Sequence, residues 1–364
     1  MAGYGKATVD NKLSRLRSVL GLRNSWKVSD NDAADSGGDG LLDFLDEVRL
    51  ATGSNTIRLI NDMETVGDWT ESDSGTFDIA VNTSGKVGTN AQKFTATAAG
   101  DGSQNIETNV IDGGDVLVPG GRDGLGHRAE SMNWEDTDFV GCWVQADTAA
   151  DFGSAGELRL NIENKGVWGT AVNVPATSGT NTNWERYEVD ITSFARDQVT
   201  KIRFELHAGA AAGEDVSIDE LIRYKFGNGY GPVMGRCQWF PLADAATVAR
   251  GNIVNISDLG LAAVTSAADS QDIGPCVVGG TGGTDYDGCW VQISGHSFFP
   301  VGTTVTEDET LIWGAGHKLL ADAGTTSVDF RVIARMPDGT TVTEESVVLL
   351  EWGNFINDGA QLVS

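Results

Sequence analysis

The sequence predicts a mainly β chain: a helical arm at the N-terminus, a β-sandwich, and then a small β-barrel-like domain. Three observations predict it. Apolar and polar residues alternate with period two over much of the length, the mark of half-buried strands. Gly 47 against Pro 7 supplies many turns without a collagen-like or low-complexity composition. Hydrophobic residues make up 40%, so the 52 Asp+Glu against 25 Lys+Arg form the shell of a folded chain and not the signature of a disordered one.

Residues 1–52 form the arm. Its first half is basic, with Lys6, Lys12, Arg15, Arg17, Arg23 and Lys27 against Asp10. Its second half is acidic, with Asp30, Asp32, Asp35, Asp39, Asp43, Asp46 and Glu47. Thr8 is placed to N-cap a short helix with Val9, Leu13, Leu16 and Leu20 on one face, ended by Gly21. A second helix is expected from about Gly40, with Leu41, Leu45 and Val48 as its stripe. A basic amphipathic arm on an acidic chain either docks on an acidic neighbour, such as another copy of the chain, or packs on its own domain.

Residues 53–229 read as one all-β unit. Leu158, Leu160 and Ile162 alternate with Arg159, Asn161 and Glu163; Tyr187, Val189 and Ile191 alternate with Glu188 and Asp190; Ile202, Phe204 and Leu206 alternate with Lys201, Arg203 and Glu205. Turn-rich stretches such as ATSGTNTN and HAGAAAGED separate these strands, and short strands at such spacing favour a sandwich. Residues 230–364, after the linker-like GNGYGP, hold shorter strands between glycine-rich turns. They fit a small β-barrel or a compact two-sheet domain, followed by a polar tail. Residues 137–145 (TDFVGCWVQ) and 284–292 (TDYDGCWVQ) nearly repeat. Each reads as a turn feeding a strand with Cys and Val on one face and Trp and Gln on the other.

A net charge of -27 opposes compaction in dilute buffer, and concentrated salt screens it within about 3 Å at 1 M. The composition fits a halophilic protein working in very salty water; an acidic extracellular protein is the other reading. Nucleic acid and anionic membranes would be repelled. No apolar run reaches the length of a membrane span, so no membrane insertion is expected. The first residues lack an apolar signal-peptide core, so export is expected by a route other than general secretion, release inside a virus particle being one. Cys142, Cys237, Cys276 and Cys289 show no metal-finger spacing. They read as small buried hydrophobes, unless neighbouring strands bring Cys276 and Cys289 together as a bridge.

Signals for catalysis are poor. His127, His207, His296 and His317 are scattered, and the chain has no HExxH, GxSxG or Walker loop, so no enzyme is expected. Paired carboxylates carry little information where acids are this common. One acidic stretch, DSGGDGLLDFLD from Asp35 to Asp46, follows the spacing of an EF-hand calcium loop at positions one, five, six, nine and twelve. It departs at Gly37, which has no side chain, and at Asp46, which is shorter than the usual Glu. Its acids also suit a helix N-terminus.

The segments IRLINDMETVGDW, FVGCWVQAD, WERYEVDITSFA, TKIRFELHA and VSIDELIRYKF give 53–229 a resemblance to the jelly-roll carbohydrate-binding modules of the galactose-binding-like superfamily. The resemblance implies a structural Ca2+ between the first and last strands, held by Glu64 and Asp219 with carbonyls from SGKVGTN, since calcium takes six to eight hard oxygen ligands. It also implies sugar stacking on exposed aromatics, for which Trp69, Trp134, Trp168 and Trp184 are the candidates. Residues 236–352 resemble the capsid decoration (cement) proteins of tailed viruses through RGNIVNI, SQDIGPCVVGG, GCWVQISG, FFPVGTTVTEDETLIWGAGHKLLAD and VDFRVIARMPDGTTVTEESVVLLEW. Together the two resemblances imply a virion structural protein on the capsid exterior, a decoration or turret protein. Its expected partners are the major capsid protein, further copies of itself (a homo-oligomer, with a trimer favoured over a pentamer) and host surface glycans. The alternative is a secreted carbohydrate-binding module or a viral tail-fibre adhesin.

Overall fold

The structure, a computed structural model, describes residues 46, 48–71, 77–101, 104–108, 110–111, 115–116, 133–148, 151–175, 184–207, 209–257, 260–264, 272–282, 288–302, 305–306, 310–314, 318–321, 332–335 and 346–355. The chain divides into two compact units, Thr56–Pro232, and Val233–Ser364 together with Met1–Asn55. The basic half of the arm and its expected helix from Val9 lie outside the described residues. Of the second expected helix, residues 48–52 are helical, and the turn closes through Ser54 N–H on the Arg49 carbonyl at 2.8 Å.

In Thr56–Pro232 the strands run β1 (Ile57–Asn61), β2 (Thr70–Glu71), β3 (Phe77–Asn82), β4 (Ala91–Ala96), β5 (Gln104–Thr108), β6 (Val110–Ile111) and β7 (Asp115–Val116). They continue with β8 (Phe139–Ala146), β9 (Leu158–Asn164), β10 (Val167–Trp168), β11 (Val172–Asn173), β12 (Glu185–Asp190), β13 (Val199–Leu206) and β14 (Asp215–Tyr224). Two six-stranded antiparallel sheets result. One has the order β12-β8-β14-β4-β3, with β1 alongside β14; the other has the order β10-β9-β13-β5-β2, with β11 alongside β9.

The alternation read from the sequence explains why these two sheets face each other. Leu158, Leu160 and Ile162 of β9, Ile202, Phe204 and Leu206 of β13, and Cys142 and Val144 of β8 all enter one core. At its centre Trp69 packs edge-on to Phe94 (5.8 Å) and tilted against Phe204 (5.7 Å). Fully burying side chains of this size contributes about 1.5–3 kcal/mol each. Strand β14 carries a bulge: its register to β8 slips between Asp219 and Ile222, and Glu220 takes φ 45°. The slip splits the strand, so that Asp215–Ile218 pair with β4 and Leu221–Tyr224 with β1. The GNGYGP stretch is an ordered turn. Asn228 is fully buried and its Oδ1 accepts the N–H groups of Tyr230 (3.0 Å) and Gly231 (3.2 Å).

The second unit holds β15 (Val233–Met234), β16 (Cys237–Pro241), β17 (Thr247–Val248), β18 (Ile253–Ile256), β19 (Ala262–Val264), β20 (Asp272–Val278) and β21 (Gly280–Thr281). After these come β22 (Gly288–Gln292), β23 (Gly295–Val301), β24 (Thr310–Gly314), β25 (Lys318–Ala321), β26 (Val332–Arg335) and β27 (Ser346–Phe355). Of the two forms expected, it takes the two-sheet one. A five-stranded sheet runs β16-β22-β20-β18-β19 and a six-stranded one β15-β23-β25-β24-β26-β27. In the larger sheet β27 returns to pair with β23, giving a barrel-like curl. The seam between β23 and β25 rests on one parallel pair, Val301 with Leu319, the thinnest pairing in this sheet. Both near-repeats behave as their alternation predicts: Cys142 and Val144 enter the first core, and Cys289 and Val291 enter a core with Leu242, Val254 and Cys276. All four cysteines are buried and free. Burial pushes the Cys142 thiol up to about 12, out of the range of a nucleophile. No helix among the described residues is long and apolar enough to cross a membrane.

Candidate functional site

The outward residues of the β10-β9-β13-β5-β2 sheet form rows across the strands, because paired residues share a face. One row runs Asn173, Arg159, Glu205, Asn105; the next runs Asn161, Arg203, Glu107, Thr70; a third runs Trp168, Glu163, Lys201. Alternation puts Glu205 on the water-facing side, yet it is only 4% exposed. Such a carboxylate needs partners, since an unpaired buried charge is strongly disfavoured.

Glu205 has them. Its Oε1 accepts Nδ2 of Asn161 at 2.6 Å and Nε of Arg203 at 2.6 Å. Nη2 of Arg203 lies 2.5 Å from the same oxygen, and Nε2 of His207 lies 2.9 Å from Oε2. Burial pushes the Glu205 carboxyl up, but the bonds from Asn161, His207 and Arg203 outweigh it and hold it below the ordinary carboxylate range. The Arg203 guanidinium also lies 3.9 Å from the ring centroid of Trp168, which is half-buried on edge strand β10. Asn161 is fixed in turn. Its Oδ1 takes the Ile162 N–H (2.8 Å), and its Nδ2 also reaches the Gly169 carbonyl (3.1 Å). Gly169 permits this close approach, because a Cβ there would meet the Phe194 ring at 2.5 Å. Lys201 pairs with Glu107 at 2.6 Å, closing the other end of the face.

The four tryptophans expected to stack on sugars separate. Trp69 (3% exposed) and Trp134 (1%) are core residues, the second with the Arg223 guanidinium over its ring at 5.1 Å. Trp184 is half-buried just before β12, and Trp168 stands on the polar face. The sequence alone did not single out Asn161, Arg203, Glu205 or His207. Their outward phase was readable, but their convergence depends on β13 lying between β9 and β5.

Glu64 and Asp219 both reach the 84–90 loop. Glu64 Oε1 accepts the Thr89 N–H (2.8 Å) and Oε2 the Asn90 N–H (3.0 Å). Asp219 Oδ2 accepts the N–H groups of Lys86 (2.7 Å) and Val87 (2.8 Å), and Oδ1 that of Glu220 (2.7 Å). Burial raises the Asp219 carboxyl to about 6 against these bonds. The loop thus presents N–H donors to the two carboxylates where calcium would need carbonyl oxygens. Among the described residues no group of three or more acidic, His or Cys side chains could hold a metal ion. This donor set does not fit a calcium shell of six to eight oxygens. Gly88 sits at φ 75°, and a Cβ there would fall 1.9 Å from Glu64 Oε1, so only glycine closes the clasp. The Asp35–Asp46 loop lies outside the described residues except for Asp46, which pairs with Arg49 at 3.2 Å.

No protein-family model and no curated protein matches the sequence. Solved structures align with just under half of the chain. One is a family 11 carbohydrate-binding module from Clostridium thermocellum in complex with a β-1,3-1,4-mixed-linked tetrasaccharide, 13% identical over 46% of this chain and 94% of that one, TM-score 0.30. Another is the CBM22-1 xylan-binding domain from Paenibacillus barcinonensis Xyn10C, 11% identical over 47% and 92%, TM-score 0.29. A third is a carbohydrate-binding module with specific mannan recognition, 13% identical over 47% and 98%, TM-score 0.30. Likeness at this level carries no weight for what this chain binds, which must come from its own side chains.

Proposed function

We propose that the Thr56–Pro232 unit binds a glycan on the outer face of its β10-β9-β13-β5-β2 sheet, as a binding module and not as an enzyme. The observation that carries the reading is the buried Glu205 carboxylate, fixed by Arg203, Asn161 and His207 beside the half-buried ring of Trp168. A sugar offers hydroxyls and an apolar ring face. A few pre-oriented polar groups beside an aromatic ring are what orient such a ligand. The same geometry does not suit Glu205 to the general-acid role in glycoside hydrolysis. A general acid there needs a raised carboxyl, and this one is held low by its three partners.

A glycan array probed with the intact chain and with Trp168→Ala tests the reading. Wild type is expected to retain a defined set of glycans that the variant loses. Retention of no glycan by wild type, in low or high salt, overturns it. The wider setting, a decoration protein on a virus head that contacts the major capsid protein and copies of itself, is a proposal of a different order. It draws on the resemblance of residues 236–352, the basic arm and the charge of -27. Electron microscopy of native particles is the check, and particles without the chain on their exterior would refute it.

A further inference from the structure

We propose that the glycan taken by this face is an acidic one, and that Arg159 receives its anionic group, a uronate carboxylate or a sulfate. This rests on the glycan-binding reading above.

Among the described residues of Thr56–Pro232 the other buried or half-buried arginines each hold a carboxylate: Arg186 with Glu220 (2.7 Å), Arg196 with Asp138 (3.3 Å), Arg203 with Glu205 (2.5 Å) and Arg223 with Asp136 (3.1 Å). In a chain with 52 acids and 25 bases such pairing is the rule to expect. Arg159 is half-buried and breaks it. Its Nε donates to the Gly156 carbonyl at 3.2 Å, and no ion pair joins it to a carboxylate among the described residues.

Its surroundings sharpen the mismatch. Arg159 stands directly across from Glu205 in the β9–β13 register. Glu205 already serves Arg203 and His207, so the carboxylate across the register from Arg159 is taken by other partners. Among the described residues no carboxylate supplies that counter-charge, and a ligand can bring one. A guanidinium whose Nε is taken by a backbone carbonyl still offers both Nη groups, a planar fork that suits a carboxylate or sulfate better than a hydroxyl. The chain's charge of -27 opposes an anion at long range. That repulsion fades beyond about 10 Å at 0.1 M salt, whereas the fork acts at hydrogen-bond distance.

The test is an array of matched glycans, followed by calorimetric titration of the hits with the full chain: uronate oligosaccharides against their neutral methyl esters, and sulfated oligosaccharides against desulfated ones. The acidic member of at least one pair is expected to bind tenfold or more tighter than its neutral match. Arg159→Gln removes the difference, and Arg159→Lys restores part of it, with melting curves showing both variants folded. Preference in the uronate pair alone or the sulfate pair alone supports the proposal and names the group. Equal binding of acidic and neutral forms, or a preference that survives Arg159→Gln, overturns the proposal and leaves the glycan reading standing. No binding by any member overturns the proposal, and the glycan reading falls with it only if the full glycan array is also blank.

Discussion

Replacing Glu205 by Gln keeps the shape of the side chain and removes the charge on which its surroundings depend. The carboxylate takes Nε and Nη2 of Arg203, Nδ2 of Asn161 and lies against Nε2 of His207. Gln offers one acceptor oxygen, and its NH2 faces groups that are themselves donors. An exposed ion pair contributes about 0–1 kcal/mol, and breaking a fully buried one costs about 3–5 kcal/mol. Here the acid is buried, but the Arg203 side chain keeps 18% of its surface exposed. The expected loss therefore lies between, at about 2–3 kcal/mol. For a domain of this size each kcal/mol shifts Tm by about 2–4 °C, so Tm falls by about 4–12 °C. Calorimetric melting of both proteins measures it. The pH dependence adds a second readout. The folded carboxyl is held below its unfolded value, so its contribution is present above about pH 4.3 and is lost as pH falls through the lower folded value. Wild type should therefore lose stability on that acid limb, and Glu205→Gln should show less of the loss. An unchanged Tm with an unchanged acid limb would refute the claim that this network is a fixed charge centre.

Three further outcomes follow from the same geometry. Gly88→Ala forces a left-handed alanine and drives the Glu64 carboxylate off the N–H groups of Thr89 and Asn90. A loss of about 2–3 kcal/mol is expected in urea unfolding, and a neutral effect would mean that the clasp is not closed in solution. Because Glu64 and Asp219 are filled by backbone N–H groups, melting curves in EDTA and in millimolar calcium should coincide; a rise of several degrees with calcium would show that the loop rearranges around a cation. Phe204→Ala empties a fully buried site against Trp69 and Phe94, so a loss of about 3–5 kcal/mol is expected by the same unfolding measurement, and a loss under 1 kcal/mol would contradict the packing.

Period-two alternation made the inward residues of β9, β12 and β13 readable, because a residue's phase along a strand is a local property. Strand order is not local. Arg159, Asn161, Arg203 and Glu205 were recognisable only as outward residues until β13 was seen to lie between β9 and β5. Tryptophan is a poor guide to a binding face for the same reason: its large apolar surface fits a core as well as a platform, and Trp69 and Trp134 went inside. The Glu64 and Asp219 positions were legible, but what the loop offers them was not. Whether a backbone turns its carbonyls or its N–H groups toward a carboxylate depends on φ at residues such as Gly88, which residue type permits but does not dictate.

A crystal structure of the chain with its best-binding oligosaccharide is the decisive check on where the sugar sits. A sugar seated on the β10-β9-β13-β5-β2 face, with a ring within van der Waals distance of Trp168 and polar contacts to Arg203 or Arg159, is the predicted result. A sugar bound on the opposite sheet or at the loop ends, with the Glu205 cluster untouched, would contradict it.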